Sequence, residues 1–262
     1  MKQEFRLFLR ALQYFTRLPV PASIGHAPDQ LGQTARYLPL IGLVVGLAAA
    51  AVLWLSAHVL PVGVAVGLAL TAGILITGAF HEDGLSDFAD GLGGATRERA
   101  LAIMKDSRVG VYGVIAVVLT LLLKYEALAA LVARHTAGYA ALALVAGHVV
   151  SRAVAVSVMV TLPYARSDAS SKSRPVIPPG AREFALRALA VALPVTLLVL
   201  GVLYVAGAHG NSLIAALAIA LMVRIYLAWI FAQRLGGYTG DCLGAMQQLV
   251  ELGFYLGLLA AV

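Results

Sequence analysis

The sequence predicts an all-α, polytopic integral membrane protein: a helical bundle of about seven transmembrane helices with an N-terminal interfacial helix. Of its 262 residues, 61% are hydrophobic and only 12% are charged, and the mean hydropathy is +0.89. Too few polar side chains remain to cover a soluble globule of this size. No fixed-period repeat or linker interrupts the pattern, so we expect one domain over residues 1–262.

The first element is an amphipathic helix within Met1–Arg17. Its apolar positions recur at helical spacing and have basic residues among them: Phe5, Phe8, Leu9, Leu12 and Phe15, with Lys2, Arg6, Arg10 and Arg17. The segment lacks an apolar core long enough for a signal peptide. We therefore expect a helix that lies at the membrane interface.

Seven apolar segments follow, each long enough to cross the hydrocarbon region of a bilayer. They are Tyr37–Ala57, Val62–Phe80, Val109–Val132, Ala137–Leu162, Leu186–Ala206, Ser212–Phe231 and Cys242–Val262. Backbone groups in lipid must hydrogen-bond within their own segment, so these segments should be helices.

Basic residues predict the orientation of the bundle. With the N-terminus in the cytoplasm, 15 of the 19 basic residues fall in cytoplasmic loops, as expected for a membrane protein. The exceptions are Lys124, Arg134, Arg152 and Arg224. The acidic block described next and the loops Ser167–Pro179 and Gly236–Gly240 then share the cytoplasmic side. The net charge of +6 is explained by these loops, and we predict no nucleic-acid site.

A dense acidic block, His81–Gly91, separates the second and third spans. Asp83, Asp87 and Asp90 are four and three residues apart, so in a helix their carboxylates lie along one face. Three like charges on one stripe repel one another by roughly a few tenths of a kcal/mol per pair. We therefore expect a bound divalent cation. For Mg²⁺ in particular, a phosphorylated substrate usually completes the coordination shell.

Basic and hydroxyl side chains follow the block at the entrance to the third span. Lys105, Ser107 and Arg108 suit phosphate oxygens, and Asp106 adds a carboxylate. Carboxylates that bracket cations predict a clamp for a metal and a diphosphate. The alternative is a solvated loop whose acids pair with its bases.

Further candidates lie outside these two clusters. Asp241, after a glycine-rich turn, is another metal ligand, the N-terminal cap of the last helix, or both. His81 is either a ligand for metal or phosphate or an interfacial histidine. Charged residues within spans are either snorkelling or functional, and Arg152 with His148 is the best candidate for the wall of a polar cavity. The other charged residues of this kind are Lys124, Glu126, Arg224 and Glu251.

Five strings in the chain resemble the cobalamin synthase family, the integral membrane adenosylcobinamide-GDP ribazoletransferases. They are HEDGLSDFADGLGG (81–94), IMKDSRVGVYG (103–113), FTRLPVP (15–21), RYLPLIG (36–42) and GYTGDCLGA (237–245). The resemblance covers both ends and the centre of the chain in the expected order.

The resemblance implies a late step of cobalamin biosynthesis in the bacterial inner membrane, with the active site facing the cytoplasm. A ribose hydroxyl of α-ribazole, or of its 5′-phosphate, attacks the cobinamide-side phosphorus of adenosylcobinamide-GDP, and GMP leaves with Mg²⁺ required. We predict that Asp83, Asp87 and Asp90 bind the metal, that Asp106 and Asp241 complete its shell, and that one carboxylate accepts the hydroxyl proton. Glu82 is a second candidate base, whereas Lys105, Arg108, Ser107 and His81 are predicted to contact phosphate. The partners are these two substrates and the lipid bilayer, and a homo-oligomer is compatible with the sequence.

Two other functions compete with this interpretation. A phospholipid-type alcohol phosphotransferase also uses spaced aspartates and Mg²⁺, but Asp90-Gly91 is not followed by the Ala-Arg and later aspartates of that pattern. A transporter would be indicated by charges inside the membrane and by glycine-interrupted helices. The spans show no obvious inverted halves, and most of the charge lies in loops on one side.

Overall fold

The computed structural model describes residues 2–25, 30–166 and 180–260, and every regular element in these ranges is helical. The α-helices are α1 (Lys2–Phe15), α2 (Leu31–Thr34), α3 (Leu38–Ser56), α4 (Val62–Thr77), α5 (Phe80–Gly91), α6 (Arg97–Ile103), α7 (Val111–Arg134), α8 (Ala137–Thr161), α9 (Ala181–Val205), α10 (Gly210–Ile230) and α11 (Gly240–Ala260). The predicted all-α bundle is confirmed. The predicted loop Ser167–Pro179 lies outside the described residues.

Six helical segments in the described ranges are long and apolar enough to cross a membrane. They are Leu31–Ser56, Val111–Arg134, Ala137–Thr161, Arg182–Val205, Gly210–Leu235 and Gly240–Ala260. The α4–α5 pair is a seventh if it counts as one span, but its two helices meet at 87°. Compared with the predicted second span, Val62–Phe80, α4 ends three residues earlier, at Thr77.

The break between α4 and α5 is built from two left-handed residues. Gly78 has φ = 69° and Ala79 has φ = 59°, a conformation that is costly for any residue with a Cβ atom. The N-terminal segment packs into this break, since the Arg17 N–H donates to the Ile76 carbonyl at 2.7 Å. A Cβ at Gly78 would lie 2.3 Å from Arg17 Nε. The acidic helix α5 is thereby turned out of the direction of α4.

Helix α1 forms as predicted, and most of its predicted apolar face packs inward. Phe15 is buried, and Phe8 and Leu12 pack against the core. Only Phe5 of the predicted positions is strongly exposed, at 62%.

The Glu4 carboxylate ties α1 to the segment just before α3, because it bonds to Arg36 at 2.5 Å and to the Tyr37 hydroxyl.

Helices α8 and α11 form the centre of the bundle. In the most apolar 18-residue stretch of each, 78% and 83% is buried, against only 22% in the spans that contain α9 and α10, which present apolar side chains outward. Helix α11 packs against α5, α8 and α10. The polar side chains of α8 and α11 are consequently inside the protein, and the acidic helix α5 lies directly on α11.

Candidate active site

Two glycines let α5 and α11 approach each other closely. A Cβ atom at Gly84 would lie 3.0 Å from the Asp241 carbonyl oxygen and 3.2 Å from the Gly244 Cα. A Cβ at Gly244 would lie 3.0 Å from the His81 carbonyl oxygen. Small residues at a helix crossing allow such backbone contact. The crossing places the first turns of α11 beside Asp83 and Asp87 of α5.

Three carboxylates come together at this crossing. Asp83 is exposed and Asp87 is half-buried on α5, and Asp241 has a side chain that is 22% exposed at the start of α11. Burial, followed by the negative charges of Asp241 and Asp83, raises the pKa of Asp87 to about 7. Negative charge is therefore concentrated where α5 crosses α11. The predicted carboxylate stripe of α5 contributes two of these residues, Asp83 and Asp87.

Asp241 does not provide the N-terminal cap of α11. Thr239 does so, because its hydroxyl accepts the Cys242 N–H at 3.3 Å. The Asp241 carboxylate instead accepts a hydrogen bond from Arg166 Nη2 at 2.8 Å. The capping alternative for Asp241 was wrong, and the side chain remains available for the carboxylate cluster.

An extended backbone pairing brings Arg166 to this position. The Ala165 N–H donates to the Tyr238 carbonyl at 2.8 Å, and the Tyr238 N–H donates to the Pro163 carbonyl at 2.9 Å. Gly237, with φ = 154°, is required here because a Cβ would lie 2.2 Å from the Pro163 oxygen. The pairing joins the segment after α8 to the turn before α11.

Asp90 has a different environment from the other two aspartates of α5. Its carboxylate accepts the Gly110 N–H at 2.7 Å and the Gly113 N–H at 2.9 Å, so it caps the N-terminus of α7 from a neighbouring helix. A Cβ at Gly113 would lie 2.3 Å from Ser86 Oγ. These contacts occupy both carboxylate oxygens of Asp90 with backbone donors, unlike those of Asp83 and Asp87.

The loop between α6 and α7 separates the predicted phosphate-binding residues. Asp106 is engaged by Arg108, with Nη2 2.6 Å from Oδ2, and hydrogen bonding from Arg108 lowers the pKa of Asp106 to about 2. The Arg108 side chain is 88% exposed, and Ser107 is also exposed. For Asp106 and Arg108 the geometry is that of the solvated loop, the alternative considered above.

Lys105 instead borders an open cleft of about 460 Å³ between α6 and the segment before residue 167. Arg97 and Arg166 line the same cleft, with Glu98, Leu101, Ala102 and Ala165. Arg97 donates to the Ala165 carbonyl at 2.9 Å, which fixes α6 against this segment. Three cations thus face a space that reaches the carboxylate cluster through Arg166.

A sequence profile described as Cobalamin-5-phosphate synthase matches residues 7–259. The chain belongs to this family. Curated relatives named Adenosylcobinamide-GDP ribazoletransferase include that of Leptothrix cholodnii, 48% identical over 99% of this chain and 97% of the relative. The relative from Ralstonia nicotianae is 46% identical over 96% and 94% of the two chains, and that from Shewanella amazonensis is 44% identical over 98% and 96%. No solved structure matched the chain.

In this member of the Cobalamin-5-phosphate synthase family, His81 and Glu82 face the interior of the bundle. His81 is buried, and Glu82 Oε1 accepts a hydrogen bond from Gln248 Nε2 at 2.9 Å. Both residues line a small enclosed cavity with Arg152 and Glu251, so Arg152 does form the wall of a polar cavity as predicted. His81 and Glu82 thus line the interior cavity, and neither of them lines the cationic cleft.

Sequence reasoning did not single out Arg97, Arg166 or the two glutamines Gln247 and Gln248 as site residues. Arg97 and Arg166 were counted only as orientation signals, and the glutamines lie inside an apolar segment. Gln247 and Gln248 are seven and eight residues after Gly240, so a polar position within a span was the signal that could have identified them.

The cluster can be tested for its fit to Mg²⁺. No group of three or more His, Cys, Asp or Glu side chains in the described ranges is arranged so that it could hold a metal ion. Mg²⁺ does not need three protein ligands, because it is commonly held by one or two carboxylates together with waters and substrate phosphates. Asp83, Asp87 and Asp241 supply hard oxygen donors beside a cationic cleft, so the donor chemistry fits.

Proposed function

We propose that this chain is an adenosylcobinamide-GDP ribazoletransferase. It would transfer the adenosylcobinamide phosphate group from adenosylcobinamide-GDP to α-ribazole or α-ribazole 5′-phosphate and release GMP. Near full-length relatives with that name support this activity. The structural observation that carries it is the position of Arg166, which pairs with Asp241 and also lines the cleft with Lys105 and Arg97.

The reaction requires the site to stabilise the negative charge of a diphosphate, both at the phosphorus that is attacked and on the phosphate that leaves. A hydroxyl oxygen of α-ribazole forms a bond to the cobinamide-side phosphorus, while the bond from that phosphorus to the bridging oxygen breaks and GMP takes the bond's electron pair. Lys105, Arg97 and Arg166 would hold the non-bridging oxygens through charge-assisted hydrogen bonds. An Asp83 or Asp87 carboxylate would accept the hydroxyl proton.

Mg²⁺ would be held by one or two of the carboxylates of Asp83, Asp87 and Asp241 and, when bound, would supply positive charge that offsets the charge developing on the leaving phosphate. Asp90 would not contact the substrate or the metal and would act through the position of α5. Its bonds to Gly110 and Gly113 join the end of α5 to the start of α7, and they would keep the metal-binding face of α5 in register.

The proposal places this site at the cytoplasmic face of a bacterial inner membrane. The excess of Lys and Arg in loops at the same end as α5 supports that orientation. A membrane location also suits a large amphipathic corrinoid, which can be held at the interface while its diphosphate reaches the cationic cleft.

The test uses the full chain purified into proteoliposomes. With adenosylcobinamide-GDP and Mg²⁺, we expect GMP release that depends on added α-ribazole and stops with EDTA. Release without α-ribazole would contradict a ribazoletransferase. Transfer from a cytidine-diphosphate alcohol would support a phospholipid-type phosphotransferase instead, and uptake of an intact corrinoid without GMP release would support a transporter.

A further inference from the structure

A buried ion pair crosses the centre of the bundle. Lys124 of α7 and Glu251 of α11 lie 2.9 Å apart, with side chains only 3% and 2% exposed. Charges buried within a membrane bundle are costly and are usually retained for function. Glu126, two residues along α7, is exposed, so the burial of Lys124 is specific to its position.

The pair continues as a chain of hydrogen bonds toward α5. Lys124 Nζ donates to Gln248 Oε1 at 2.6 Å, and Gln248 Nε2 donates to Glu82 Oε1 at 2.9 Å. These partners fix the orientation of the Gln248 amide, since lysine can only donate and a carboxylate accepts. Glu82 immediately precedes Asp83, so the chain ends on the helix that carries the proposed metal ligands.

A second branch closes the network on α8. Arg152 Nη1 lies 2.8 Å from His148 Nδ1 and donates to the His148 carbonyl at 3.1 Å. Glu251 Oε2 lies 3.2 Å from His148 Nδ1 and accepts a hydrogen bond from Gln247 Nε2 at 2.5 Å. Two cations, Lys124 and Arg152, then balance the carboxylates Glu82 and Glu251.

Between these branches lies a cavity with about 20 Å³ for water centres. Two buried atoms at its wall, Glu82 Oε2 and Arg152 Nε, have no hydrogen-bond partner in the described part of the protein. This volume is sufficient for one water molecule, which needs polar neighbours to be retained. A bound water that donates to Glu82 Oε2 and accepts from Arg152 Nε would give both atoms a hydrogen-bond partner and connect the two branches.

We propose that Lys124, Gln248 and Glu82 form a positioning relay that fixes the rotation of α5 and thereby aims Asp83 and Asp87 at the substrate. None of the three is assigned a catalytic role by this proposal. Lys124 and Gln248 act through Glu82, and Glu251 holds Lys124 in place. The proposal rests on the ribazoletransferase function proposed above, but the relay itself is a property of the helices.

The kinetic test compares Lys124→Met, Lys124→Arg and Gln248→Leu with the matched control Glu126→Gln. Since small displacements of reacting groups cost large factors in rate, we expect Lys124→Met and Gln248→Leu to lower kcat by about tenfold or more, with KM for both substrates within about twofold. Lys124→Arg should recover much of the rate, and Glu126→Gln should match the unmodified chain. Assays run well below the Tm of every variant distinguish misaimed groups from unfolding.

Gln248→Leu keeps the proposal testable if Lys124→Met does not fold, because it leaves the Lys124–Glu251 pair intact. A second readout needs no turnover. Cys242 is fully buried, so a cysteine introduced on α5 by Ala89→Cys can be labelled selectively with a maleimide. We expect labelling to be about threefold faster or more when Gln248→Leu is added, because α5 is released.

The outcomes separate the two proposals. If the unmodified chain releases no GMP with α-ribazole, the proposed function fails, and the labelling rates still test the relay. If Gln248→Leu shows unchanged kcat and unchanged labelling of the introduced cysteine, the relay is refuted whatever the function. A rate loss that Lys124→Arg does not recover, with labelling unchanged, would also overturn it.

Discussion

The Arg166 guanidinium donates to the Asp241 carboxylate at 2.8 Å although the two residues are 75 positions apart in the chain. The same guanidinium lines the cationic cleft. Arg166 therefore links the two halves of the candidate site, the carboxylates on one side and the phosphate-binding cations on the other.

Replacement of Arg166 should weaken donor binding. Arg166→Ala removes one cation from the cleft and leaves Asp241 without its partner, so we expect kcat/KM for adenosylcobinamide-GDP to fall by about tenfold or more. Arg166→Lys should lose less, because it keeps the charge but not the planar fork. The matched control is Arg187→Ala, whose partner Glu183 is on the exposed surface. An unchanged KM and kcat for Arg166→Ala would exclude a phosphate contact.

Asp87→Asn should separate activity from stability. The repulsion and burial that raise the pKa of Asp87 destabilise its charged form in metal-free protein, so the neutral side chain should raise the Tm in EDTA by about 2–4 °C, roughly 1 kcal/mol for a chain of this size. Transfer should be abolished because a carboxylate ligand is lost. A variant that is active, or that unfolds at lower temperature in EDTA, would count against the cluster.

Asp90→Asn should lower the stability of the protein, whereas Asp87→Asn should raise it. The change removes a charged cap from the N-terminus of α7, so we expect a loss of about 1–2 kcal/mol in unfolding free energy. The Tm in EDTA should fall, and the concentration of Mg²⁺ needed for half-maximal activity should change little. A large increase in that concentration with no change in Tm would restore Asp90 to the predicted set of metal ligands.

The contrast between Asp87 and Asp90 shows what the sequence could predict. The spacing of the aspartates on α5 follows from helical geometry alone, and α5 ends at Gly91 as its glycines indicate. Which of them is occupied by backbone donors depends on where α7 begins relative to α5. That relation is set by tertiary contact between residues 20 and 23 positions apart, which periodicity does not encode.

Contacts between residues far apart in the chain also explain other differences between the sequence-based predictions and the structure. Gly110 and Gly113 let Asp90 approach the start of α7, because a Cβ at either position would lie 2.4 Å or 2.6 Å from an oxygen of its carboxylate. His81 and Glu82 adjoin the predicted ligands in sequence but lie on another face of the helix. Spans were predictable because hydropathy is a local property. The turn at Gly78–Ala79 was not, since alanine rarely adopts a left-handed conformation.

Close packing of α5 on α11 should be sensitive to a single methyl group. Gly84→Ala would place its Cβ 3.0 Å from a backbone oxygen of Asp241, which cannot rotate away, so we expect a destabilisation of about 1–3 kcal/mol and reduced transfer. Gly67→Ala on α4 is the matched control, because its Cβ meets no atom within 4 Å. Thermal unfolding and GMP release measure both effects. Equal behaviour of the two variants would show that the helices are not in backbone contact.

The last prediction concerns the attachment of α1 and its dependence on pH. Hydrogen bonding from Tyr37, followed by the charge of Arg36, lowers the pKa of Glu4. A carboxylate whose pKa is lower in the folded state stabilises the fold above its unfolded pKa, and this stabilisation is lost as the pH falls through the folded value. Glu4→Gln should therefore unfold at a lower temperature than the unmodified chain near pH 6–7, and the difference should shrink as the pH falls below 4.5, the ordinary pKa of this carboxyl. Because Glu4 is half-exposed, the difference should also shrink in high salt. A Tm difference that stays constant from about pH 7 to about pH 3 would show that the side chain acts through packing, and that its charge does not hold α1 against the start of α3.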